Sequence, residues 1–452
     1  MVVQKFGGTS VADPPAVQRL IEIVRTARSR DGRGPAVVVS AMSGVTDALL
    51  SLAATAGSAR VDEALSRVEQ LRERHLSAAR ALAPADAGGD LGAEITAQFD
   101  DLVALVRALA VLREVSPRTL DVVAAAGELL SSRIIASALT NAGIPAEWVD
   151  ARRAIVTTDD HTRATPLAEK TAAALRATVL SVIEAGRVPV LGGFVGATSD
   201  GYTTTLGRGG SDYSAALVGA AIGADEIQIW TDVDGMLTAD PRLIAKPRLV
   251  PHLSFAEASE LAYFGAKVLH PSTILPAVER NIPVRILNSN KPEGAGTIIT
   301  SEPPPASTPL TALACKRDLT VVDITSSRML MAYGFLRRVF EVFERFRTSV
   351  DVVTTSEVSV SVTVDDRRNL DAIREALSEF SQVSIEPDMA LLCAVGDRLR
   401  NEPAIAARAV GVFEEVPLRM ISQAASRRNI TVILRQADLQ HAMERLHEEF
   451  FA

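Results

Sequence analysis

Val2-Val3-Gln4-Lys5-Phe6-Gly7-Gly8-Thr9-Ser10 opens the chain as a short strand that stops on two adjacent glycines. Bare backbone beside a lysine lets phosphate oxygens approach and have their charge neutralised. It also serves as an ordinary strand-to-helix turn, and the P-loop pattern Gly-x-x-x-x-Gly-Lys-[Ser/Thr] is absent. Outward from there, a helix follows Asp13-Pro14-Pro15. The run Ala36-Val37-Val38-Val39 suits a strand buried on both faces. It leads into Met42-Ser43-Gly44-Val45-Thr46-Asp47 and an Ala/Leu-rich helix. Helical patterns span 61–83 and 93–113, and further strands are expected at 146–149, 188–194, 226–231 and 283–288. Strands separated by helices form parallel crossover units. Residues 1–300 therefore read as an α/β domain, an open α/β/α sandwich with a mainly parallel sheet, its ligands at the carboxyl ends of the strands.

A proline-rich linker, 301–312, holds Pro303, Pro304, Pro305 and Pro309. After it the rhythm changes. A strand at 320–325, a helix at 334–346, strands near 350–353 and 358–364, a helix at 369–380 and a strand at 382–386 follow in turn. The order then recurs: strand 389–395, helix 402–414, strands 417–422 and 429–434, helix 438–450. This is a repeat of ferredoxin-like βαββαβ units, 313–386 and 387–452, the second completed by a strand from the linker region.

With 452 residues, the chain has material for about three domains. A net charge of −8 with no basic module argues against nucleic acid as the principal ligand. No apolar run approaches the about 18 residues of a membrane helix, and the amino terminus lacks the regions of a signal peptide. Two cysteines and six histidines supply neither a disulfide framework nor a spaced zinc set. A cytoplasmic protein is expected.

Lysine is rare, six among 47 basic residues, so a lysine inside a motif draws notice: a compact ammonium fits where a planar guanidinium does not. Lys5 is one and Lys267, in Phe264-Gly265-Ala266-Lys267-Val268-Leu269-His270-Pro271, another, although a lysine ending a helix is also favoured by the dipole. Thr203-Thr204-Thr205-Leu206-Gly207-Arg208-Gly209-Gly210-Ser211-Asp212 opens an Ala-rich helix, where free N–H groups and the positive dipole end suit an anion. Ser211 or Asp212 as a helix N-cap explains one residue of that cluster, not its glycines and arginine. Thr231-Asp232-Val233-Asp234-Gly235 and Thr238-Ala239-Asp240-Pro241-Arg242 suit nucleotide or metal-phosphate contacts, and equally turn chemistry. Glu128 sits in an apolar helical stretch, and Thr46 at a helix start.

In this order, Lys-Phe-Gly-Gly-Thr-Ser-Val, Thr-Thr-Thr-Leu-Gly-Arg-Gly-Gly-Ser-Asp, Trp-Thr-Asp-Val-Asp-Gly and Phe-Gly-Ala-Lys-Val-Leu-His-Pro resemble the aspartate kinases of the amino-acid kinase family. In the tail, Gly334-Phe335-Leu336 and Val350-Asp351 to Thr354-Thr355-Ser356-Glu357 are similar to the effector-binding ACT domains of lysine-sensitive members. The resemblance covers essentially the whole chain. It implies ATP and L-aspartate as substrates, with Mg2+ carried by ATP, giving 4-phospho-L-aspartate in the first step towards lysine, threonine and methionine. It also implies a homodimer through the ACT domains. Carried over residue by residue, Lys5 stabilises the transferring phosphoryl group and Asp212 orients the catalytic groups. Thr46, Glu128, Arg208, Gly209, Gly210 and Ser211 hold aspartate, Arg208 on its α-carboxylate and Glu128 on its ammonium. Lys5, Phe6, Gly7, Gly8, Thr231, Asp232, Leu237, Thr238, Asp240, Pro241, Arg242 and Lys267 face the nucleotide. Met329, Gly334, Phe335, Leu336, Val350, Asp351, Thr355 and Ser356 form the pocket for an L-lysine effector. Leu237 stands where the family commonly has Tyr, and Ala332 where Ser is frequent. Relatives acting on glutamate, acetylglutamate, carbamate or UMP fit less well, given the tandem tail repeat and the Glu128 motif.

Overall fold

The computed structural model describes residues 1–32, 34–87, 89–265, 269, 271–304, 308–326, 333–397, 399, 402–423 and 426–451. The chain divides into two compact units. One comprises Met1–Met236, Pro251–Phe255 and Val268–Pro303; the other comprises Leu237–Val250, Ala256–Lys267 and Pro304–Ala452.

The first unit is built on an eight-stranded sheet, in the order Ala146–Val149, Val188–Gly192, Ala36–Val39, Val2–Phe6, Glu226–Thr231, Val284–Asn288, Thr297–Thr300 and His252–Ser254. The first six strands run parallel, and one antiparallel pair, Val284–Asn288 with Thr297–Thr300, adds the far edge. Ala36–Val39 is buried at every position, as a central strand covered on both faces must be. The core reaches from this sheet into helices Val45–Gly57, Val61–Leu82, Asp90–Leu112 and Pro117–Asn141 through Leu49, Leu52, Val68, Ile95, Phe99, Leu130 and Ile135.

The 25-residue helix Pro117–Asn141 corrects the expectation that no apolar run is long enough to cross a membrane. By length and composition it qualifies, but 83% of its apolar window is buried inside the protein. Its apolarity is that of a core helix. A small second sheet joins Val156–Thr157, Val195–Thr198 and Thr203–Thr205, and its middle strand starts three residues after the main-sheet strand Val188–Gly192 ends.

In the second unit the two expected tail modules share one six-stranded sheet, ordered Val353–Thr355, Ser359–Val364, Ala312–Thr325, Gln382–Val395, Asn429–Arg435 and Leu418–Ser422. Ala312–Thr325 and Gln382–Val395 are each 14 residues long and serve both halves. The strands read separately at 382–386 and 389–395 are thus one element, with a register irregularity and a positive φ at Asp388 marking the seam. Ala312 to Lys316 supplies the strand that the second half lacks, pairing with 391–395. The strand placed near 350–353 lies instead at Val353–Thr355. Segment Leu237–Val250 belongs to this unit as well: Leu313 donates its N–H to the Thr238 carbonyl (2.7 Å). Ala239, Leu243 and Ile244 share a core with Leu313, Phe413 and Leu439.

Candidate active site

Both clefts described below lie in the first unit, at the carboxyl ends of its central strands. Lys5 is the penultimate residue of the strand Val2–Phe6 and is 9% exposed. Its Nζ lies 2.7 Å from Asp212 Oδ1. Asp212 occupies the first turn of helix Gly210–Ile222, whose N-cap is Gly209 and carries no side-chain cap bond. The capping role that Ser211 or Asp212 would otherwise fill is therefore not used: Asp212 turns to the lysine, and Ser211 Oγ meets Ser40 Oγ at 3.1 Å. At the helix start the Gly210 and Asp212 N–H groups bond back to the carbonyls of Gly207 and Gly209 (3.0 Å each), closing the turn that carries Arg208. Arg208 projects, exposed, between Gly207 and Gly209, whose φ values of 77° and 73° a side chain would strain.

A cleft of about 620 Å³ collects Lys5, Thr46, Glu128, Arg208, Gly209, Gly210, Ser211 and Asp212. All eight residues assigned to catalysis or to aspartate by resemblance thus line one space. A second, of about 470 Å³, shares Lys5, Thr46 and Glu128 with it and adds Gly7, Gly8, Asp47, Thr231 and Asp232.

Glu128 is the unusual group. It is 4% exposed on helix Pro117–Asn141, and its Oε2 has no hydrogen-bond partner. Burial pushes its carboxyl up to about 8, against the smaller opposing effects of the Ala41 N–H and the Thr46 hydroxyl. A buried carboxyl with one oxygen left bare on a cleft suits a cationic partner.

The remaining nucleotide-side residues fall differently. Phe6 is fully buried and stacks on Trp230, so its side chain is core. Thr238 Oγ1 pairs with His447 Nε2 (2.9 Å) within the second unit. Asp240 and Arg242 form an ion pair across a turn (2.6 Å) near the exposed Pro241 and half-buried Leu237. Lys267 lies outside the described residues.

Of the effector set, Met329 is outside them too, as is Ala332. Gly334 starts helix Phe335–Arg345. Phe335 packs edge-on to Phe380, Val350 borders the same core, and Leu336 is 41% exposed. Ser356 closes a turn onto Ser359, beside the strand that ends at Thr355. Asp351, expected as an acceptor for an amino acid's ammonium, is already engaged within its unit: Lys316 Nζ lies 3.0 Å away, and the Tyr263 hydroxyl donates at 3.2 Å.

Sequence reasoning passed over Ser40, Asp121, Gly193 and Phe194. Gly193 follows the strand Val188–Gly192 at a point where a Cβ would stand 2.7 Å from Ser211 Cα and Cβ, so only glycine admits the helix start so close. The Gly-Gly-Phe triplet after an apolar strand was the available signal. Asp121 left none, since an aspartate near a helix start reads as ordinary.

An open parallel sheet, two clefts at its carboxyl edge and a Lys–Asp pair at a helix start define a phosphotransferase of the amino acid kinase class. Residues 1–288 match the amino acid kinase family, and 392–450 an ACT domain. The chain is 38% identical to aspartokinase 3, chloroplastic, of Arabidopsis thaliana (99% of this chain, 81% of that one). It is 35% identical to the lysine-sensitive aspartokinase 3 of Escherichia coli K12 (100% and 99%). The crystal structure of E. coli aspartokinase III with aspartate and ADP, its R-state, superposes with a TM-score of 0.84 at 34% identity. Both chains are covered completely. The T-state, with lysine and aspartate, gives 0.83. The chain belongs to the aspartokinases, kinases whose phosphoryl acceptor is a carboxylate.

Proposed function

We propose that the protein transfers the γ-phosphoryl group of ATP to the side-chain carboxylate of L-aspartate, giving ADP and 4-phospho-L-aspartate. The observation that carries this reading is the buried Glu128 carboxyl, whose Oε2 has no hydrogen-bond partner and which shares a cleft with Arg208. An acidic and a basic group lining one cleft suit the ammonium and α-carboxylate of an amino acid, and a guanidinium receives a carboxylate through two parallel bonds. The substrate's own side-chain carboxylate then attacks the γ-phosphorus. One P–O bond forms, the bond to the ADP oxygen breaks, and no proton need move. Lys5 neutralises charge on the phosphoryl oxygens as it spreads in the transition state, and Asp212 holds the ammonium in place. Gly7 and Gly8 admit the phosphates closely. Asp47 and Asp232 line that same second cleft and suit the hydration shell of a Mg2+ carried on ATP, which would supply further charge neutralisation.

L-lysine is the proposed feedback effector, supported by the set around Gly334, Asp351 and Ser356 and by the lysine-bound relative. Val353–Thr355 is an edge strand with Val353 38% exposed, and unpaired edges invite pairing with a second copy, so a homodimer forms through this sheet. A coupled ADP-release assay with aspartate or glutamate, each with and without lysine, tests the whole reading. Turnover on aspartate alone, suppressed by lysine, is the expected result.

A further inference from the structure

We propose that Asp121 is a positioning residue that sets the geometry of the aspartate cleft, and with it the discrimination between aspartate and its one-carbon-longer homologue. The inference rests on the substrate reading above.

Asp121 has no exposed surface and lies two helical turns before Glu128, on the same face of helix Pro117–Asn141; both line the larger cleft. Its carboxylate accepts from three donors on two other elements. The Thr205 hydroxyl binds Oδ1 at 2.5 Å, the Thr162 N–H bridges both oxygens at 3.0 and 3.1 Å, and His161 Nδ1 reaches Oδ2 at 2.6 Å. So engaged, the carboxylate is not available to substrate. It is a tie.

What it ties is the support of Arg208. Thr205 ends the strand three residues before that arginine, and its carbonyl accepts from Ala164 (2.9 Å). Thr162 has a φ of 70°, a left-handed conformation rare for a β-branched residue, and the bond to Asp121 holds it there. The Thr162 carbonyl in turn lies beneath Gly207, 3.3 Å from where a Cβ would be. Helix, loop and strand end thus meet on one buried carboxylate. The separation between Glu128, on the helix, and Arg208, beyond the strand, follows from it. With two charged partners at a fixed spacing, one added methylene in the substrate misplaces its reacting carboxylate. Slack in the tie loses that selectivity.

The experiment measures KM and kcat for aspartate, glutamate and ATP in wild type, Asp121→Asn, Thr205→Val and Thr205→Ser. Asp121→Asn should raise the aspartate KM at least tenfold with the ATP KM within twofold, and narrow the aspartate-over-glutamate preference in kcat/KM. Thr205→Val should move the same quantities less, and an Asp121→Asn/Thr205→Val double variant measured alongside should fall short of the sum of the two single effects. Thr205→Ser keeps the hydroxyl and should restore wild-type values. If Asp121→Asn does not fold, the two Thr205 variants decide alone. An aspartate KM within twofold of wild type in the folded variants overturns the role of Asp121, as does a parallel rise in the ATP KM. A wild type that fails to phosphorylate aspartate overturns the substrate reading instead.

Discussion

If Glu128 receives the ammonium of aspartate, it must be ionised in the complex, yet in the free protein its carboxyl titrates near 8. Aspartate binding at neutral pH therefore expels a proton. At pH 7 roughly one free molecule in eleven carries the charge, which weakens apparent affinity by about 1.4 kcal/mol, or tenfold, relative to pH 9. The aspartate KM should accordingly fall about tenfold from pH 7 to pH 9, while the substrate's amine stays protonated over most of that range. Glu128→Gln should flatten this dependence and raise KM at pH 9 by roughly thirtyfold, about 2 kcal/mol for a lost charge-assisted bond. Initial rates with saturating ATP between pH 6 and 9 measure it. Calorimetry in two buffers of different ionisation enthalpy should count close to one proton released per aspartate at pH 7. The same shift acts on folding with a definite sign. The folded carboxyl ionises near 8 and the unfolded one near 4.5, so its contribution to stability is full below pH 4.5 and is lost as pH rises through 8. Glu128→Gln should therefore raise the melting temperature of the ligand-free protein at pH 8.5 and change it little at pH 4.5. A wild-type aspartate KM that is flat from pH 6 to 9, with no proton release, refutes the assignment.

Lys5→Arg keeps the charge but not the compact shape beside Asp212, and should lower kcat by more than tenfold, over about 1.4 kcal/mol of transition-state stabilisation; a smaller loss removes Lys5 from the transferring phosphoryl group. Arg208→Ala should raise the aspartate KM far more than the ATP KM, and equal effects would move the guanidinium to the phosphates. Gly193→Ala places a methyl 2.7 Å from Ser211 and should displace the helix start, cutting activity at least tenfold while circular dichroism stays native; full activity would show that the close approach is dispensable. Asp351→Ala should leave the aspartate KM unchanged without lysine and weaken lysine inhibition at least tenfold, about 1.4 kcal/mol. Because Lys316 occupies Asp351, the effector's ammonium must displace an internal one, and inhibition at the wild-type lysine concentration would exclude Asp351 from the pocket.

The parallel strands of the first unit were legible because each is a continuous apolar run between helical patterns, which local sequence encodes directly. The glycines around Arg208 were legible for a related reason: Gly207 and Gly209 hold the positive φ that side chains resist. The tail's repeat was readable, but not its fusion into one sheet, since both long strands are interrupted at Asp318 and Asp388 by residues of positive φ. Such breaks look like loops in one dimension.

By its sequence alone the protein determined its strand-and-helix order and the residue types at the helix start and strand end. It also determined which lysines stand in glycine-bearing motifs. Tertiary structure decided the rest. It turned Asp212 from a helix cap into the partner of a lysine 207 positions earlier, and left one oxygen of Glu128 bare. It drew Ala239, Leu243 and Ile244 into the core of the second unit and gave Asp351 to Lys316. Those outcomes depend on which buried polar groups meet donors across long sequence separations. Burial makes every unmet group costly, and that accounting closes only when the chain is packed.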